Sequence, residues 1–553
     1  MIHDTIDLSA PLRTPVPDRH DDPDYAFLFA DAELRKGDAV IHFENGLACF
    51  DGRETVEADG EEIDMIRLAY RKGGQLLLPA SELEHVWRYG ADASDVTLDR
   101  LKGSDWASRR DGLVRELTKV AQRLGREFHR RQAEKARKLV PDPGRYEAFA
   151  KGFPHELTSD QSRAIDATLS DLRGEHPMDR LVVGDVGFGK TEVAMHAIAA
   201  AVFSGAQAVM VAPTTVLARQ HANALRARFE PLGVRVEEVS RLRTAQENAA
   251  ARTALAEGNC DIVVGTHAVM SGSLDKGRAD IPGLGLVVVD EEHKFGARRK
   301  RALRRMGRVA HILSMTATPI PRSLAMAEVG LCSVSVVASA PRQRLPVETR
   351  VMKTSLDAAV AAVRREHERE GQAYVVAPRV RSLKKLRPTL EKALGDITMQ
   401  TAHGKLDRSE IETSMLAFMQ GDCDVLLATS IIESGLDNGR ANTMVVFDAE
   451  RFGLAQLHQL RGRIGRSKLP AQMVLMSDID LTEESPAQRR LLAFAQMAEL
   501  GAGFRVSAHD RSARGYGALS GTEQSGKLTK LGIELYRRLL VRELRRTEGG
   551  DTR

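Results

Sequence analysis

Apolar residues recur along the chain in three patterns, and each pattern predicts a different kind of element. The first pattern lies between residues 37 and 87, where short alternating apolar runs are interrupted by turn-forming residues. The interruptions are Glu44-Asn45-Gly46, Asp51-Gly52, Ala58-Asp59-Gly60 and Lys72-Gly73-Gly74. Alternation between turns is typical of antiparallel strands, so residues 29–92 are predicted to form a small β-barrel. Residues 1–28, rich in proline and aspartate, are predicted to be a disordered lead-in.

The other two patterns are helical and continuous. Between residues 98 and 139, leucine and valine recur every three or four positions among many charged residues, which predicts a long linking helix within residues 93–143. Its arginines could bind DNA phosphates, but a solvated helix face is the commoner outcome and no DNA contact is predicted there. Continuous apolar runs alternating with helical stretches then predict two tandem parallel-sheet α/β domains, at 144–344 and 345–500, followed by a C-terminal segment at 501–553.

Composition and charge narrow the class of protein. The 553 residues are 42% hydrophobic and 28% charged, which is ordinary for soluble multidomain proteins. The net charge of +4 means that any nucleic-acid binding must rely on local basic surfaces. The four cysteines lie far apart, without the close spacing of a zinc site. Neither a leader sequence nor a membrane-length apolar stretch is visible, so a cytoplasmic location without membrane association is expected.

The sequence GDVGFGKT at residues 184–191 predicts a nucleotide site. It follows an apolar run and precedes a stretch of helical composition, which is the strand–loop–helix context of a phosphate-binding loop. Gly184, Gly187 and Gly189 would let backbone N–H groups curl around phosphate oxygens. Lys190 would reach the β- and γ-phosphates of ATP, and Thr191 would offer its hydroxyl to Mg²⁺.

An acidic pair follows the apolar run 284–289. Asp290 is predicted to hold Mg²⁺, and Glu291 to orient or deprotonate the attacking water. A structural acidic cap is the alternative, and a preceding phosphate loop makes it the weaker one. Upstream, Thr158 or Ser159 is predicted to cap a helix, and Gln161 carries an amide that could match the edge of adenine.

A basic stretch, QLRGRIGR, spans residues 459–466 in the second α/β domain, which contains no phosphate loop of its own. Arg463 and Arg466, three residues apart, are predicted to share a helix face and to reach the triphosphate as arginine fingers. The alternative is an anion-binding or solvated basic helix. If the arginines are fingers, hydrolysis requires the two domains to close.

Taken in order, GDVGFGKT, PTT, GTH, DEEH, TAT, ATSIIESGLD and QLRGRIGR resemble the motifs of superfamily 2 helicases and translocases, over about residues 150–470. The resemblance implies two tandem RecA-like domains. It also implies that one set of residues faces the nucleic-acid backbone: Pro213, Thr214, Thr215, Gly265, Thr266, His267, His403, Gly404, Thr429 and Ser430. A second set would act at the nucleotide: Gln161, Gly435, Asp437 and Gln459.

A narrower resemblance connects residues 29–535 to the family of the bacterial transcription-repair coupling factor and its relative RecG. It rests on the sequences MDRL, TPIPR, RFGLAQL, GFR and GTEQSG, which begin at residues 178, 318, 451, 503 and 521. The barrel, Tudor-like in this family, and its helix resemble the coupling factor's RNA-polymerase-interacting domain. Residues 501–526 resemble the hairpin and loop that step along duplex DNA, with Arg514 as a DNA contact. Arg511, Ser512 and His293 depart from the family pattern.

The resemblance implies an ATP-dependent double-stranded DNA translocase that docks on RNA polymerase and pushes or dislodges it. The sequence resembles a short form without the repair-recruitment module or the C-terminal regulatory domain, which is either a piece of a longer protein or a short relative. No direct excision-repair recruitment is expected of it. One alternative is a RecG-like helicase that remodels branched DNA, which is disfavoured because no wedge domain is visible in residues 1–150. The other is a non-catalytic transcription adaptor, which is disfavoured by the intact GKT and DEE sequences.

Overall fold

The structure, a computed structural model, describes residues 34–58, 61–93, 96–270, 281, 283–295, 310–317, 321–341, 345–433, 438–467, 469–479, 486–496 and 533–549. The chain forms two compact units. The first unit comprises Met1–Glu134, Pro319–Val334 and Ala508–Arg553, and the second comprises Lys135–Thr318 and Ser335–Ser507. Over the described residues, every helix is too short or too polar to cross a membrane.

Strands and helices are numbered in chain order. The strands are β1 (Asp38–His42), β2 (Gly46–Ala58), β3 (Glu61–Ala69), β4 (Gln75–Pro79), β5 (Val86–Asp92), β6 (Asp179–Gly184), β7 (Gln207–Val211), β8 (Val236–Val239), β9 (Ile262–Gly265), β10 (Leu284–Val289), β11 (His311–Thr316), β12 (Ser333–Val337), β13 (Val347–Lys353), β14 (Gln372–Val376), β15 (Met399–Ala402), β16 (Val425–Ala428), β17 (Ala441–Val446) and β18 (Ala471–Ser477). The helices are α1 (Ser104–Ala133), α2 (Pro143–Lys151), α3 (Ser159–Leu172), α4 (Lys190–Phe203), α5 (Thr215–Phe229), α6 (Ala245–Ala256), α7 (Pro321–Glu328), α8 (Leu356–Glu368), α9 (Val380–Leu394), α10 (Arg408–Gln420), α11 (Leu454–Arg461), α12 (Pro486–Gln496) and α13 (Ile533–Gly549).

The first unit is built on a five-stranded antiparallel sheet with the order β4-β3-β2-β1-β5. All five strands contribute to one buried cluster: Val40, Ala48, Phe50, Ile66, Leu68, Leu78 and Val86. A sheet whose strands share one enclosed core is strongly curled, in agreement with the predicted small barrel. The turn predicted at Asp51-Gly52 is wrong. Both residues lie inside β2, where the pairing with β3 shifts register and Gly52 adopts a φ of +124°, which indicates a β-bulge.

Helices α1, α7 and α13 form a second core in the same unit, together with the outer side of β1 and β5. The Trp106 indole N–H of α1 donates to the Phe43 carbonyl at 2.8 Å, which fixes the start of the helix against the barrel. Between α1 and α13, the Thr118 hydroxyl donates to Glu543 Oε2 at 2.6 Å. The long linking helix is therefore an integral part of the barrel unit.

The linking helix is shorter than predicted, because it ends at Ala133 and not near residue 139. In the second unit, the Ala136 N–H donates to the Glu175 carbonyl and the Leu139 N–H to the Leu172 carbonyl. The Leu139 side chain is buried in the core that also surrounds α4. These long-range backbone bonds and the burial of Leu139 stabilise a non-helical course, and this tertiary pairing overrides the helical spacing of the sequence.

The second unit contains two α/β sheets, and this confirms the predicted fold class. The seven-stranded sheet has the order β12-β6-β11-β10-β7-β9-β8, with parallel pairing from β6 to β8. The six-stranded sheet has the order β13-β18-β17-β14-β16-β15, and its pairs are all parallel. In each sheet, segments that follow neighbouring strands meet at the carboxyl edge, where ligands of open α/β sheets usually bind.

Candidate nucleotide site

The loop between β6 and α4 has the backbone of a phosphate-binding loop. Gly187 and Gly189 both adopt a φ of +80°, a left-handed conformation that glycine reaches without steric strain. The loop leads into the 14-residue helix α4, whose first N–H groups favour an anion. Lys190 Nζ donates to the Gly184 carbonyl at 2.7 Å and to the Asp185 carbonyl at 3.0 Å. The Lys190 ammonium group therefore lies against the phosphate-binding loop, as the sequence motif predicts.

Gln161 connects the start of α3 to this loop. Thr158 caps the helix, as predicted, and Gln161 completes a capping box with its Oε1 accepting from the Thr158 N–H at 2.8 Å. Its Nε2 donates to the Phe188 carbonyl at 2.8 Å. A Cβ atom at Gly189 would collide with this amide, so only glycine fits there. A contact between Gln161 and adenine stays a prediction.

The acidic pair stands at the carboxyl end of β10, beside the phosphate loop. Asp290 and Glu291 are both buried, and Glu291 adopts a φ of +49°, which is uncommon for a residue other than glycine. Asp290 Oδ1 accepts from the Glu291 N–H at 2.9 Å, and Oδ2 lies 2.8 Å from His221 Nε2 of α5. The sequence prediction missed His221. A histidine on the apolar face of the helix after PTT, four residues from both Leu217 and Leu225, was the only signal available.

The charges around Lys190 identify the groups that share the site. Burial lowers the pKa of Lys190, the carboxylates of Glu291, Asp290 and Asp185 act in the opposite direction, and the Arg463 guanidinium adds to the lowering. The two predicted magnesium ligands, the Asp290 carboxylate and the Thr191 hydroxyl, offer the hard oxygen donors that Mg²⁺ prefers. The residues present therefore fit a magnesium-bound triphosphate.

The segment predicted to carry arginine fingers approaches the same loop from the six-stranded sheet. Arg463 is only 2% exposed, and a Cβ at Gly462 would lie 2.8 Å from Val186 Cβ, so backbone and loop are in close contact. The prediction that Arg463 and Arg466 share a helix face is wrong. Helix α11 ends at Arg461, and Gly465 turns the chain with a φ of +69°. Gly462 and Gly465 interrupt the helix because glycine favours its end and permits the left-handed turn.

The same segment contains two further predicted site residues, Gln459 and Arg466. Gln459 is buried on α11. Arg466 is half-buried and its Nε donates to the Gly462 carbonyl at 3.1 Å, a bond that stabilises the turn itself. The structure thus brings Arg463 into the electrostatic surroundings of Lys190. A role of Arg466 as a second arginine finger stays a prediction.

An aspartate–histidine pair, which the sequence prediction also missed, joins the two sides of the site. His458 Nε2 of α11 lies 2.7 and 2.8 Å from the two carboxylate oxygens of Asp185, the second residue of the phosphate loop. Burial alone would raise the pKa of Asp185, but His458, the Val186 N–H and Lys190 together lower it to about 2. Asp185 is therefore an ionised carboxylate inside the loop.

The residues predicted to face DNA in the first α/β domain lie at the same sheet edge as the acidic pair. Pro213, Thr214 and Thr215 follow β7, and Thr266 and His267 follow the neighbouring strand β9. The two segments are joined by a bond from the Ala212 N–H to the Gly265 carbonyl at 2.9 Å. Thr214 also caps α5, and Gly265 is closely packed between the Val239 carbonyl and the Val269 side chain.

The corresponding residues of the second α/β domain follow β15 and β16. His403 is buried and Gly404 exposed, while Thr429 and Ser430 are half-buried. The Thr429 N–H donates to the Ala402 carbonyl at 3.3 Å, which brings the two segments together. Gly435, Asp437, Arg514, the lead-in at 1–28 and the segment 501–526 lie outside the described residues, and so does the side chain of His293.

Comparisons with known proteins agree with this geometry. Residues 158–327 match the DEAD/DEAH box helicase family, and residues 354–468 match the helicase conserved C-terminal domain. Residues 34–90 match the CarD-like/TRCF RID domain. The two helicase matches contain most strands of the two parallel sheets, and the third contains most of the antiparallel sheet.

Similar proteins cover most of the chain. A transcription-repair-coupling factor of Escherichia coli (strain K12) is 39% identical over 510 residues, which are 92% of this chain and 44% of that protein. Those of Staphylococcus haemolyticus (strain JCSC1435) and Bacillus subtilis (strain 168) are 36% and 35% identical over 94% of this chain and 44% of their own length. The chain thus spans less than half of these relatives. A solved structure of RecG bound to a three-way DNA junction superimposes with a TM-score of 0.62, at 25% identity, over 92% of this chain and 81% of that one.

The phosphate loop, the two parallel sheets and the two helicase-domain matches define the class of protein, which is the superfamily 2 helicases and translocases. Both helicase domains imply nucleotide binding. Within that class, the chain is a relative of the bacterial transcription-repair-coupling factors, as its sequence predicts, and it carries their RID domain.

Proposed function

We propose that the chain is an ATP-dependent translocase on double-stranded DNA that docks on RNA polymerase through its β-barrel. The observation that carries the proposal is the close packing of the second sheet's Gly462 on Val186 of the phosphate loop, which places the buried Arg463 beside the first sheet's site. Arg463 thereby joins Asp290 and Glu291 among the charged groups that act on the pKa of Lys190. A site assembled from both sheets can couple hydrolysis to their relative movement, because its geometry is complete only when both sides contribute.

Each residue has a defined part in hydrolysis. The loop N–H groups and Lys190 bind the phosphates, and Thr191 and Asp290 would hold Mg²⁺, which would neutralise part of the phosphate charge. Glu291 orients the attacking water and accepts its proton, and Arg463 stabilises the charge that develops on the transferred phosphoryl group. Substituting Glu291→Gln keeps the size of the side chain and removes the base. Nucleotide affinity should then persist while turnover is lost, and sustained turnover would refute the role of Glu291.

DNA binding is assigned to the carboxyl edges of the two sheets. The hydroxyl and backbone N–H groups of Thr214, Thr266 and Thr429 are of the kind that bind phosphodiester oxygens without reading bases. Affinity should therefore fall steeply with salt and vary little with sequence. An ATPase assay with and without duplex DNA tests the assignment, because the absence of hydrolysis would favour the non-catalytic adaptor and hydrolysis that ignores DNA would favour an unrelated ATPase.

Docking on RNA polymerase is supported by the RID match and by exposed apolar side chains on the barrel. Val56, Ile63 and Leu77 are each more than a third exposed, and they lie on the outer face of β2, β3 and the edge strand β4. In a pull-down of bacterial RNA polymerase with the full chain, Leu77→Asp should reduce retention. Leu469→Asp is the matched control, since both leucines are 45% exposed and Leu469 lies in the second α/β domain. Equal retention by both variants would contradict docking through this face.

A RecG-like action on branched DNA is the second candidate, favoured by the superposition on RecG over 92% of the chain. The two candidates differ in strand separation. A pure translocase moves along blunt duplexes without releasing a strand, whereas a remodelling helicase releases strands from forked DNA. A strand-displacement assay on blunt and forked substrates distinguishes the two activities.

A further inference from the structure

The pair formed by Asp185 and His458 is not needed for phosphate binding or for hydrolysis as described above. Asp185 places a buried negative charge inside a loop whose function is to receive anions, which is unfavourable unless the charge is compensated. Its Oδ1 accepts from the Val186 N–H at 2.7 Å, and both oxygens contact His458 Nε2. The compensation thus comes from the loop and from the opposite sheet.

His458 uses both ring nitrogens. Arg461 Nη2 lies 3.3 Å from His458 Nδ1, and because a guanidinium can only donate, Nδ1 is the acceptor and Nε2 the donor to Asp185. The Arg461 guanidinium in turn lies 4.4 Å from the centre of the Phe494 ring. Burial lowers the pKa of Arg461 to about 10, so the arginine remains charged at neutral pH. A continuous series of contacts therefore runs from the phosphate loop through α11 to α12.

The next residues along the chain are those that approach the nucleotide site. Gly462 packs against Val186, and Arg463 is buried within the electrostatic reach of Lys190. His458 lies one helical turn before Gly462 on α11. Both residues face the phosphate loop on the same side of the helix, because their partners, Asp185 and Val186, are consecutive in the loop. Fixing His458 on Asp185 consequently fixes the position from which Arg463 extends.

We propose that His458 is a positioning residue, which binds Asp185 and thereby holds the Arg463 turn against the phosphate loop. The inference rests on the proposed function, because the positioned group is the predicted arginine finger. It goes beyond that function by assigning the coupling between the two sheets to one buried hydrogen-bonded pair. Such a residue changes the rate of the chemical step through orientation and leaves ground-state nucleotide binding largely intact.

The test compares His458→Ala, Asp185→Asn and the double variant in the full chain. The variant His367→Ala is the matched control, because Nδ1 of His367 on α8 lies 3.2 Å from Oδ1 of Asp424, in a more exposed pair of the same residue types. We expect kcat of DNA-stimulated hydrolysis to fall about 10-fold or more in each single variant, while the affinity for a fluorescent ADP changes less than about 3-fold. The double variant should be no slower than the single variants, because the pair acts as a unit. His458→Gln, which retains an N–H donor, should recover part of the rate.

Three results would overturn the proposal: an unchanged kcat in His458→Ala, losses that multiply in the double variant, or a parallel loss of ADP affinity. The last would show that the pair merely maintains the fold of the loop. Failure of the proposed function is recognised separately, since the wild-type chain itself would then lack DNA-stimulated hydrolysis.

Discussion

His221 Nε2 lies 2.8 Å from Asp290 Oδ2, and both side chains are buried. The other carboxylate oxygen of Asp290 accepts from the Glu291 N–H. One oxygen is thus oriented by α5, which follows the predicted DNA-facing Thr214, and the other by the predicted catalytic glutamate. A displacement of α5 would therefore shift Asp290, the predicted magnesium ligand, through a single hydrogen bond.

Removal of this hydrogen bond should weaken the response to magnesium. In His221→Ala, the Mg²⁺ concentration that gives half-maximal ADP binding should rise about 10-fold, because groups that orient metal ligands typically contribute that much to affinity. Titration of fluorescent ADP at several Mg²⁺ concentrations measures the change. His221→Gln retains a donor and should lie closer to wild type. An unchanged titration in His221→Ala would show that Asp290 needs no support from α5.

Close packing at Gly462 should make this position intolerant of any side chain. A Cβ would lie 2.8 Å from Val186 Cβ and 3.0 Å from its Cγ1, so Gly462→Ala must displace the turn that carries Arg463. We expect ATP turnover to fall at least about 10-fold, since small misplacements of a catalytic group have large effects on rate. The control is Gly439→Ala, where a Cβ meets nothing within 4 Å. Equal turnover in the two variants would contradict a close approach of the turn to the loop.

The buried carboxylate of Glu328 should contribute strongly to the free energy of unfolding of the barrel unit. Glu328 is 2% exposed and lies 2.6 Å from Arg537 Nη1 and 3.3 Å from Arg538 Nη1. Glu328→Ala leaves both guanidiniums buried without this carboxylate, which should cost about 3–5 kcal/mol. Both tryptophans of the chain, Trp87 and Trp106, lie in the core of this unit, so urea unfolding followed by tryptophan fluorescence reports on it selectively.

The matched control for Glu328 is an exposed ion pair of the same unit. Lys36 Nζ lies 3.2 Å from Asp51 Oδ1, and the Lys36 side chain is 75% exposed. Lys36→Ala should change the free energy of unfolding by about 0.5 kcal/mol or less. A similar loss in the two variants would mean that the Glu328 cluster contributes no more than a surface pair.

The features that could be predicted from the sequence are those determined by residues close together in the chain. The phosphate loop and the strand before Asp290 were predicted because glycine spacing and continuous apolar runs are local signals. The pairs Asp185–His458 and His221–Asp290 leave no such signal, since 273 and 69 residues separate their members. Two local misreadings, at Gly52 and Gly462, have one cause: a glycine can form a turn, a bulge or a helix end, and the partner strand or loop decides which.

We propose that Arg463, from the second sheet, completes the nucleotide site of the first. This role is tested by measuring ADP affinity and DNA-stimulated ATP turnover of Arg463→Ala beside the wild-type chain. We expect ADP affinity close to wild type and turnover reduced by about 10³-fold, the usual effect of losing an arginine finger. Turnover within a few-fold of wild type would contradict this role of Arg463.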